Sequence, residues 1–143
     1  MSRIARVVAL VAVLAIVPAV ALAAGSKHKV STTVTGAIVK TVGSTAFSPG
    51  ITSDPSLGAG AASIKVTGGT ALSGTIFTKK GSLSGSGTLT FGTTAADGST
   101  PFTGTLTVKS ATGGFKGATG KLAVTGSQKG SAFTAKLKGT VTY

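Results

Sequence analysis

The sequence predicts an all-β protein, an antiparallel eight-stranded up-and-down β-barrel, with a β-sandwich as the alternative. Helical periodicity is absent beyond the N-terminal apolar segment. Glycine recurs every few residues there with serine and threonine between, a composition that disfavours helix and suits strands and turns. Several windows alternate apolar with hydroxyl-bearing residues, as in strands buried on one face. Glycines fall repeatedly on the apolar face, which the crowded interior of a small closed barrel favours.

The N terminus predicts a signal peptide over residues 1–23, a signal helix that precedes the barrel. Arg3 and Arg6 give a positive start, and an apolar run over residues 7–17 is closed by Pro18. Ala21-Leu22-Ala23 places small residues where a signal peptidase cleaves. The alternative is an uncleaved membrane anchor, since a spanning helix needs about 20 apolar residues. The expected location is secreted, extracellular or in the cell envelope, with no membrane span after cleavage.

The remaining residues predict one domain. Residues 24–29 form a flexible N-terminal tail and residues 30–143 the barrel, a length that suits a single core. His28, the only histidine, falls in the predicted tail and is expected to be solvated.

The first half of the domain predicts short strands interrupted by one long loop. Residues expected to face inward are Val30, Thr32, Val34, Gly36 and Ile38, then Ala62, Ile64 and Val66, then Leu72, Gly74 and Ile76. Residues 44–60 contain Pro49, Pro55 and several glycines and serines, so we predict an irregular loop that holds Asp54.

The second half shows cleaner alternation. Inward-facing residues are predicted in four strands: Leu83, Gly85, Gly87, Leu89 and Phe91; Phe102, Gly104, Leu106 and Val108; Leu122 and Val124; and Phe133, Ala135, Leu137, Gly139, Val141 and Tyr143. Residues 95–99 contain Asp-Gly, a favoured hairpin pair, and predict a turn. The aromatic residues of these strands are predicted to belong to the core.

A glycine-framed corner separates two of these strands. Its motif residues are Gly113, Gly114, Phe115, Gly117, Ala118 and Gly120. The segment resembles a corner shared by dirigent proteins, allene oxide cyclases and their small secreted bacterial relatives, and the resemblance covers residues 102–126. It implies an eight-stranded antiparallel barrel in which the corner joins two late strands. The glycines are expected to supply positive φ and to let the phenylalanine pack under the next strand.

The side chains of most catalytic and metal sites are scarce. The chain has no cysteine, two acidic residues and one histidine, so disulfides are excluded and zinc or calcium clusters are not expected. Asp54 and Asp97 both lie in turn-like sequence. Dirigent proteins use aspartates at the barrel mouth, and allene oxide cyclases use a glutamate. This chain has no glutamate and neither of its aspartates lies on a predicted inward face, so the activity of these families is not expected here. We expect a non-enzymatic protein without a cofactor.

Lysine dominates the charge. Removing Arg3 and Arg6 leaves twelve lysines against two aspartates, a formal charge of +10. We therefore predict binding of an anionic polysaccharide, wall polymer or other extracellular polyanion, with no specific nucleic-acid recognition. The candidate contacts on the outward face are Lys65, Lys109, Lys121, Lys136 and Lys138. The alternative function is transport of a small apolar ligand inside the barrel. The sequence predicts no oligomeric state.

Overall fold

The computed structural model describes residues 25–53 and 57–143. These residues form nine strands and one short 3₁₀ turn. The strands are β1 (Lys27–Ala37), β2 (Lys40–Val42), β3 (Thr45–Ser53), β4 (Gly60–Thr67), β5 (Ala71–Thr78), β6 (Gly81–Phe91), β7 (Ser99–Ala111), β8 (Thr119–Lys129) and β9 (Ala132–Thr142), and the 3₁₀ turn is Gly113–Phe115.

Eight of the strands close into an antiparallel barrel, as predicted. Each strand from β3 to β9 pairs with the next along the chain, and β1 closes the cylinder by pairing with both β9 and β3. The sandwich alternative is thereby excluded. The extra strand β2 pairs with β3 alone and extends one end of the barrel wall. Closure leaves few free strand edges in a chain rich in threonine and valine, which limits edge-to-edge aggregation.

The predicted inward faces form the core. Large side chains from every barrel strand except β3 and β4 are buried, among them Val34, Leu72, Leu89, Leu106, Leu122 and Leu137. Phe91 departs from the prediction, because its ring is 38% exposed where β6 reaches the end of the barrel. The alternation of apolar and hydroxyl residues therefore assigned the core correctly along most of the barrel.

Interior glycines let neighbouring strands approach closely. A methyl group at Gly87 would overlap the backbone carbonyl of Thr105, and one at Gly104 would overlap that of Thr88. Any larger residue would push β6 and β7 apart. The glycines on the apolar face are thus a requirement of the tight barrel rather than weak points in its strands.

The predicted loop over residues 44–60 is wrong for most of its length, since β3 occupies Thr45–Ser53. Its inward residues are small or polar and its outward residues include Phe47 and Ile51, so the usual pattern is inverted. Pro49 is tolerated because pairing with β2 ends at Phe47 and pairing with β1 begins at Gly50. The missing proline N–H therefore falls in a gap of the ladder.

The first strand begins earlier than predicted. Residues 27–29, expected in the flexible tail, pair with the last residues of β9. Ser26 and Tyr143 exchange two backbone hydrogen bonds of 3.0 and 3.1 Å, and the His28 ring stacks on Tyr143 with centroids 4.1 Å apart. The C-terminal strand thus supplies the template that orders this segment.

Two predictions fall outside the described residues: the signal peptide over residues 1–23, and Asp54. Within the part of the chain that is described, no helix is long and apolar enough to cross a membrane.

Candidate ligand cavity

The two ends of the barrel differ in what closes them. One end, here called the mouth, carries the turns around Gly43, Gly68 and Gly130 and the connection between β6 and β7. The opposite end, here called the base, carries the start of β1, the end of β9 and the glycine corner between β7 and β8. The base is filled with side chains, and the mouth contains a cavity.

Phe115 and Leu57 fill the base. The ring of Phe115 is completely buried, and Leu57 and Val141 are almost as inaccessible. Phe115 also meets Tyr143 edge-to-face at a centroid distance of 5.1 Å. Aromatic pairs in this geometry are favourable beyond the area that they bury.

The glycine corner holds Phe115 in this position. The N–H of Gly114 donates to the carbonyl of Lys80 over 2.7 Å, which ties the 3₁₀ turn to the β5–β6 connection. Gly113 and Gly117 adopt φ of +61° and +82°, a conformation that glycine adopts without strain. Ala118 is buried, and a methyl group at Gly120 would meet the backbone of Thr140. All six motif residues thus build the base of the barrel.

The mouth holds a cavity of about 270 Å³. Its aliphatic lining comes from Ile38, Ile64, Val66, Leu72, Leu89 and Val124. Three aromatic rings complete it: Phe91, Phe102 and Phe133. The rings of Phe91 and Phe102 lie 5.6 Å apart at a tilt of 58°. Below this space a void of about 40 Å³ shares Ile64, Leu72 and Val124 with it, so the barrel interior narrows sharply toward the base.

Few polar groups reach the cavity. Ser48 lines it from β3, and among the described residues its hydroxyl has no hydrogen-bond partner. Thr41 and Ser44 stand at the rim, and Gln128 lines the wall while its amide nitrogen donates to the Gly130 carbonyl over 3.0 Å. The described lining contains no charged side chain. Such a site suits a neutral molecule with one or two polar groups.

Sequence reasoning missed the residues that shape the mouth. The sequence predicts a loop at Ala46 and Ser48 and a core position for Phe91, whereas all three residues line the cavity. A signal for Ala46 and Ser48 was present, because small residues alternate with larger ones from Ala46 to Thr52. Their small size is what leaves the cavity empty.

Four of the five candidate lysines share one side of the barrel. Lys109, Lys121, Lys136 and Lys138 lie on β7, β8 and β9, and each is exposed. We call this side the lysine wall. Lys65 lies apart from it on β4, with its ammonium 5.9 Å from the centroid of the Phe47 ring. None of the five forms an ion pair with a described carboxylate, so their charges are available to an external anion.

A shallow groove connects Lys65 with the lysine wall. It crosses the outer face of β4 to β7, has a volume of about 500 Å³, and carries a lysine at each side, Lys65 and Lys109. The surface between them carries the hydroxyl groups of Ser73, Ser86, Thr88 and Thr107. Lysine charges at the margins and hydroxyls between them are suited to an anionic, hydroxyl-rich polymer.

Asp97 has a local structural role. Its carboxylate accepts hydrogen bonds from the Ser99 hydroxyl at 2.6 Å and the Ser99 N–H at 3.0 Å, and these bonds hold the pKa of Asp97 below its usual value. It also lies 3.8 Å from the ammonium of Lys129 in an exposed pair. No group of three or more metal-ligating side chains occurs in the described part of the chain.

Comparisons with known proteins found no match to this chain among family models, curated proteins or solved structures. The features that bear on function are the cavity and the outer surface.

Proposed function

We propose that the protein binds a small, neutral, apolar molecule in the mouth of its barrel, outside the cell if the predicted signal peptide directs export. One observation carries the proposal: the mouth holds an apolar cavity of about 270 Å³, while the base is filled by Phe115. A barrel that needed its interior only for stability would gain by filling both ends.

The cavity determines the class of ligand. Ligand pockets commonly measure about 300–1,000 Å³, so a volume just below this range fits a molecule of one or two rings or a short branched chain. Burial of apolar surface at about 25 cal/mol per Å² would drive binding. A charged ligand is disfavoured because the described lining offers no opposite charge to compensate its desolvation.

The lining also bears on catalysis. Its described polar groups are hydroxyls and one amide, and none of them is a general base near neutral pH. A dirigent-like or cyclase-like reaction would need an acid or base that the cavity does not supply, so we favour binding without turnover.

A matched pair of substitutions tests the proposal. The probe is N-phenyl-1-naphthylamine, a neutral dye whose fluorescence rises in apolar surroundings. Ala46→Leu adds bulk inside the cavity, and Ala123→Leu makes the same change on the exposed face of β8. We expect the first variant to weaken dye binding about tenfold and the second to leave it unchanged. Equal affinity for both variants and the parent would contradict binding in the mouth.

A second function, binding of an anionic polymer, is favoured by the groove between Lys65 and Lys109. Spaced lysines over a row of hydroxyls would bind a sulfated or phosphorylated polysaccharide through charge, with hydrogen bonds to its sugar rings. Such binding should weaken steeply with salt.

Two double variants with the same loss of charge test the groove. Lys65→Gln with Lys109→Gln removes its two cations, and Lys136→Gln with Lys138→Gln removes two from β9. Retention on dextran sulfate, with uncharged dextran as the reference matrix, should fall more for the first pair. Equal loss would show that binding follows total charge and that the groove has no special part.

A further inference from the structure

Exposed apolar side chains concentrate on one side of the barrel. Among the described residues, six large apolar side chains are exposed, and all but Phe91 lie on or beside β2, β3 and β5. Ile51 is 70% exposed, Val39 66% and Phe77 50%. We give the name apolar wall to six outward-facing apolar residues of β2 to β5: Val42, Phe47, Pro49, Ile51, Ala61 and Phe77. Contiguous exposed apolar surface commonly marks an interaction site.

Strand register makes the patch continuous. Ile51 on β3 pairs with Ala61 on β4, and Ala61 pairs with Phe77 on β5, so the three form one row across the wall. Phe47 stands four residues from Ile51 on the same face of β3, and Lys40 on β2 pairs with it. Val39 precedes Lys40 at the rim of the mouth, and its backbone N–H donates to the Phe47 carbonyl over 3.0 Å.

The opposite side of the barrel, formed by β8 and β9, has a mainly polar outer surface. The outward positions of β8 and β9 are almost entirely threonine, serine and lysine, and Ala123 and Ala132 are their exposed apolar exceptions. The apolar residues of β3 to β5 are therefore concentrated on one side rather than scattered over the surface.

Lysines accompany the apolar wall. Lys40 lies between Val39 and Val42, Lys65 lies over the Phe47 ring, and Lys79 follows Phe77 by two residues. The one described aspartate, Asp97, is on the β6–β7 connection and not on this wall. Apolar side chains mixed with lysines are the combination that binds an interface of acyl chains and anionic headgroups.

We propose that the apolar wall docks the protein on the surface of an anionic lipid bilayer. The phenylalanine, valine and isoleucine side chains enter the headgroup region, and Lys40, Lys65 and Lys79 contact the phosphates. The barrel then lies on its side, with Val39 and Val42 bringing the rim of the mouth near the lipid. The proposal rests on the outer surface alone and does not require a ligand in the cavity.

Charge distinguishes lipid from a second copy of the chain. A symmetric dimer through this wall would place the same patch of each copy face to face. Lys40 and Lys65 of both copies would then be gathered at one interface, in a chain whose formal charge is already +12. An anionic surface neutralises these charges, whereas self-association brings them together.

The absence of tryptophan allows a site-specific optical test. Ile51→Trp places a single indole on the apolar wall, and Ala123→Trp places one on the exposed face of β8. The full chain is mixed with vesicles of phosphatidylcholine containing phosphatidylglycerol. We expect a blue shift of emission for the first variant, a much smaller shift for the second, and loss of the first shift at high salt. A shift that grows with protein concentration without lipid would indicate self-association and overturn the proposal.

Vesicle sedimentation provides the second measurement. Ile51→Thr with Phe77→Thr removes the apolar groups while keeping residues that suit exposed strands, and Ala123→Thr is the matched control. We expect the double variant to bind anionic vesicles at least tenfold more weakly and the control to bind as the parent does. Unchanged binding of the double variant would assign membrane affinity to another part of the chain, such as the N-terminal apolar segment, and refute docking through the wall.

Discussion

The mouth and the base of the barrel differ in how the interior is packed: side chains fill the base, whereas the mouth contains a cavity. At the base, Phe115 and Leu57 fill the interior, and the glycine corner lets the chain turn closely around them. At the mouth, β3 contributes Ala46 and Ser48, whose small side chains leave about 270 Å³ unfilled between three phenylalanine rings. The difference indicates that stability and binding are carried by separate ends of one cylinder.

This separation follows from cavity energetics. An unfilled apolar space costs its lining the dispersion contacts that close packing would provide. The protein bears that cost at one end only, where the space is open to solvent and a ligand can restore the contacts. Changes at the base should therefore affect folding before binding, and changes at the mouth should do the reverse.

The largest expected effect is loss of the base ring. Phe115→Ala should lower the free energy of unfolding by about 3–5 kcal/mol, because it removes a fully buried ring and its edge contact with Tyr143. Urea denaturation followed by circular dichroism measures this loss. The folded fraction should still bind the dye with nearly the parent affinity. If Phe115→Ala lost most of its dye affinity but little of its stability, the base would serve binding rather than folding, contrary to the proposal.

Glycines with positive φ at the two ends allow a matched comparison. Gly113→Ala at the base combines a disfavoured φ of +61° with overlap against the Lys80 carbonyl, so we expect a cost of about 3 kcal/mol. Gly43→Ala at the mouth has a similar φ of +57° but no neighbour within 4 Å, and should cost about 1 kcal/mol. Equal costs in urea denaturation would mean that close packing at the corner contributes nothing.

The ring of Phe91 at the rim of the mouth should matter more for binding than for stability. Phe91→Ala should weaken dye binding about tenfold, because the ring lines the cavity and tilts against Phe102. The ring is partly exposed, so the free energy of unfolding should fall by only about 1 kcal/mol. A loss of stability as large as that of Phe115→Ala would make Phe91 part of the core.

The smallest effect concerns pH. Hydrogen bonds from Ser99 hold the pKa of Asp97 below its usual value, so its stabilising effect is present above the unfolded pKa and is lost as pH falls through the folded one. Asp97→Asn should therefore be slightly less stable than the parent at neutral pH and match it in strong acid. Thermal unfolding over this range measures the difference, and dye affinity should not change with Asp97 because the cavity lining is uncharged.

The fold was largely predictable because the alternation of apolar and polar residues can be recognised within each strand by itself. Alternation along β6, β7 and β9 identifies the inward faces, and Gly87 and Gly104 lie on them where a tight barrel needs close strand approach. The strand β3 was missed because its face is inverted: Phe47 and Ile51 point outward and Ser48 inward. Small and larger residues do alternate from Ala46 to Thr52, but Pro49 in the middle of the run favours a loop over a strand.

The groove and the cavity were less predictable from the sequence, because they form only when the strands pair into a closed barrel. The candidate lysines were identified individually, but the groove that joins Lys65 with Lys109 exists only once β4 to β7 stand side by side. The cavity likewise combines residues from distant strands, such as Ala46 and Gln128. Sequence periodicity indicates which side of a strand is buried. It does not indicate where along the barrel axis the interior contains a cavity.

Intermolecular nuclear Overhauser effects can show directly where a bound ligand lies in the barrel. A saturating neutral aromatic ligand, such as the naphthylamine dye, should show contacts to the methyl groups of Ile64, Leu72 and Val124 around the mouth cavity, and none to Leu57 or Val141 at the base. That result would place the ligand where the barrel is empty. Contacts confined to Ile51 and other outward-facing groups would contradict the account, because the ligand would then bind the outer surface and the cavity would have no part in recognition.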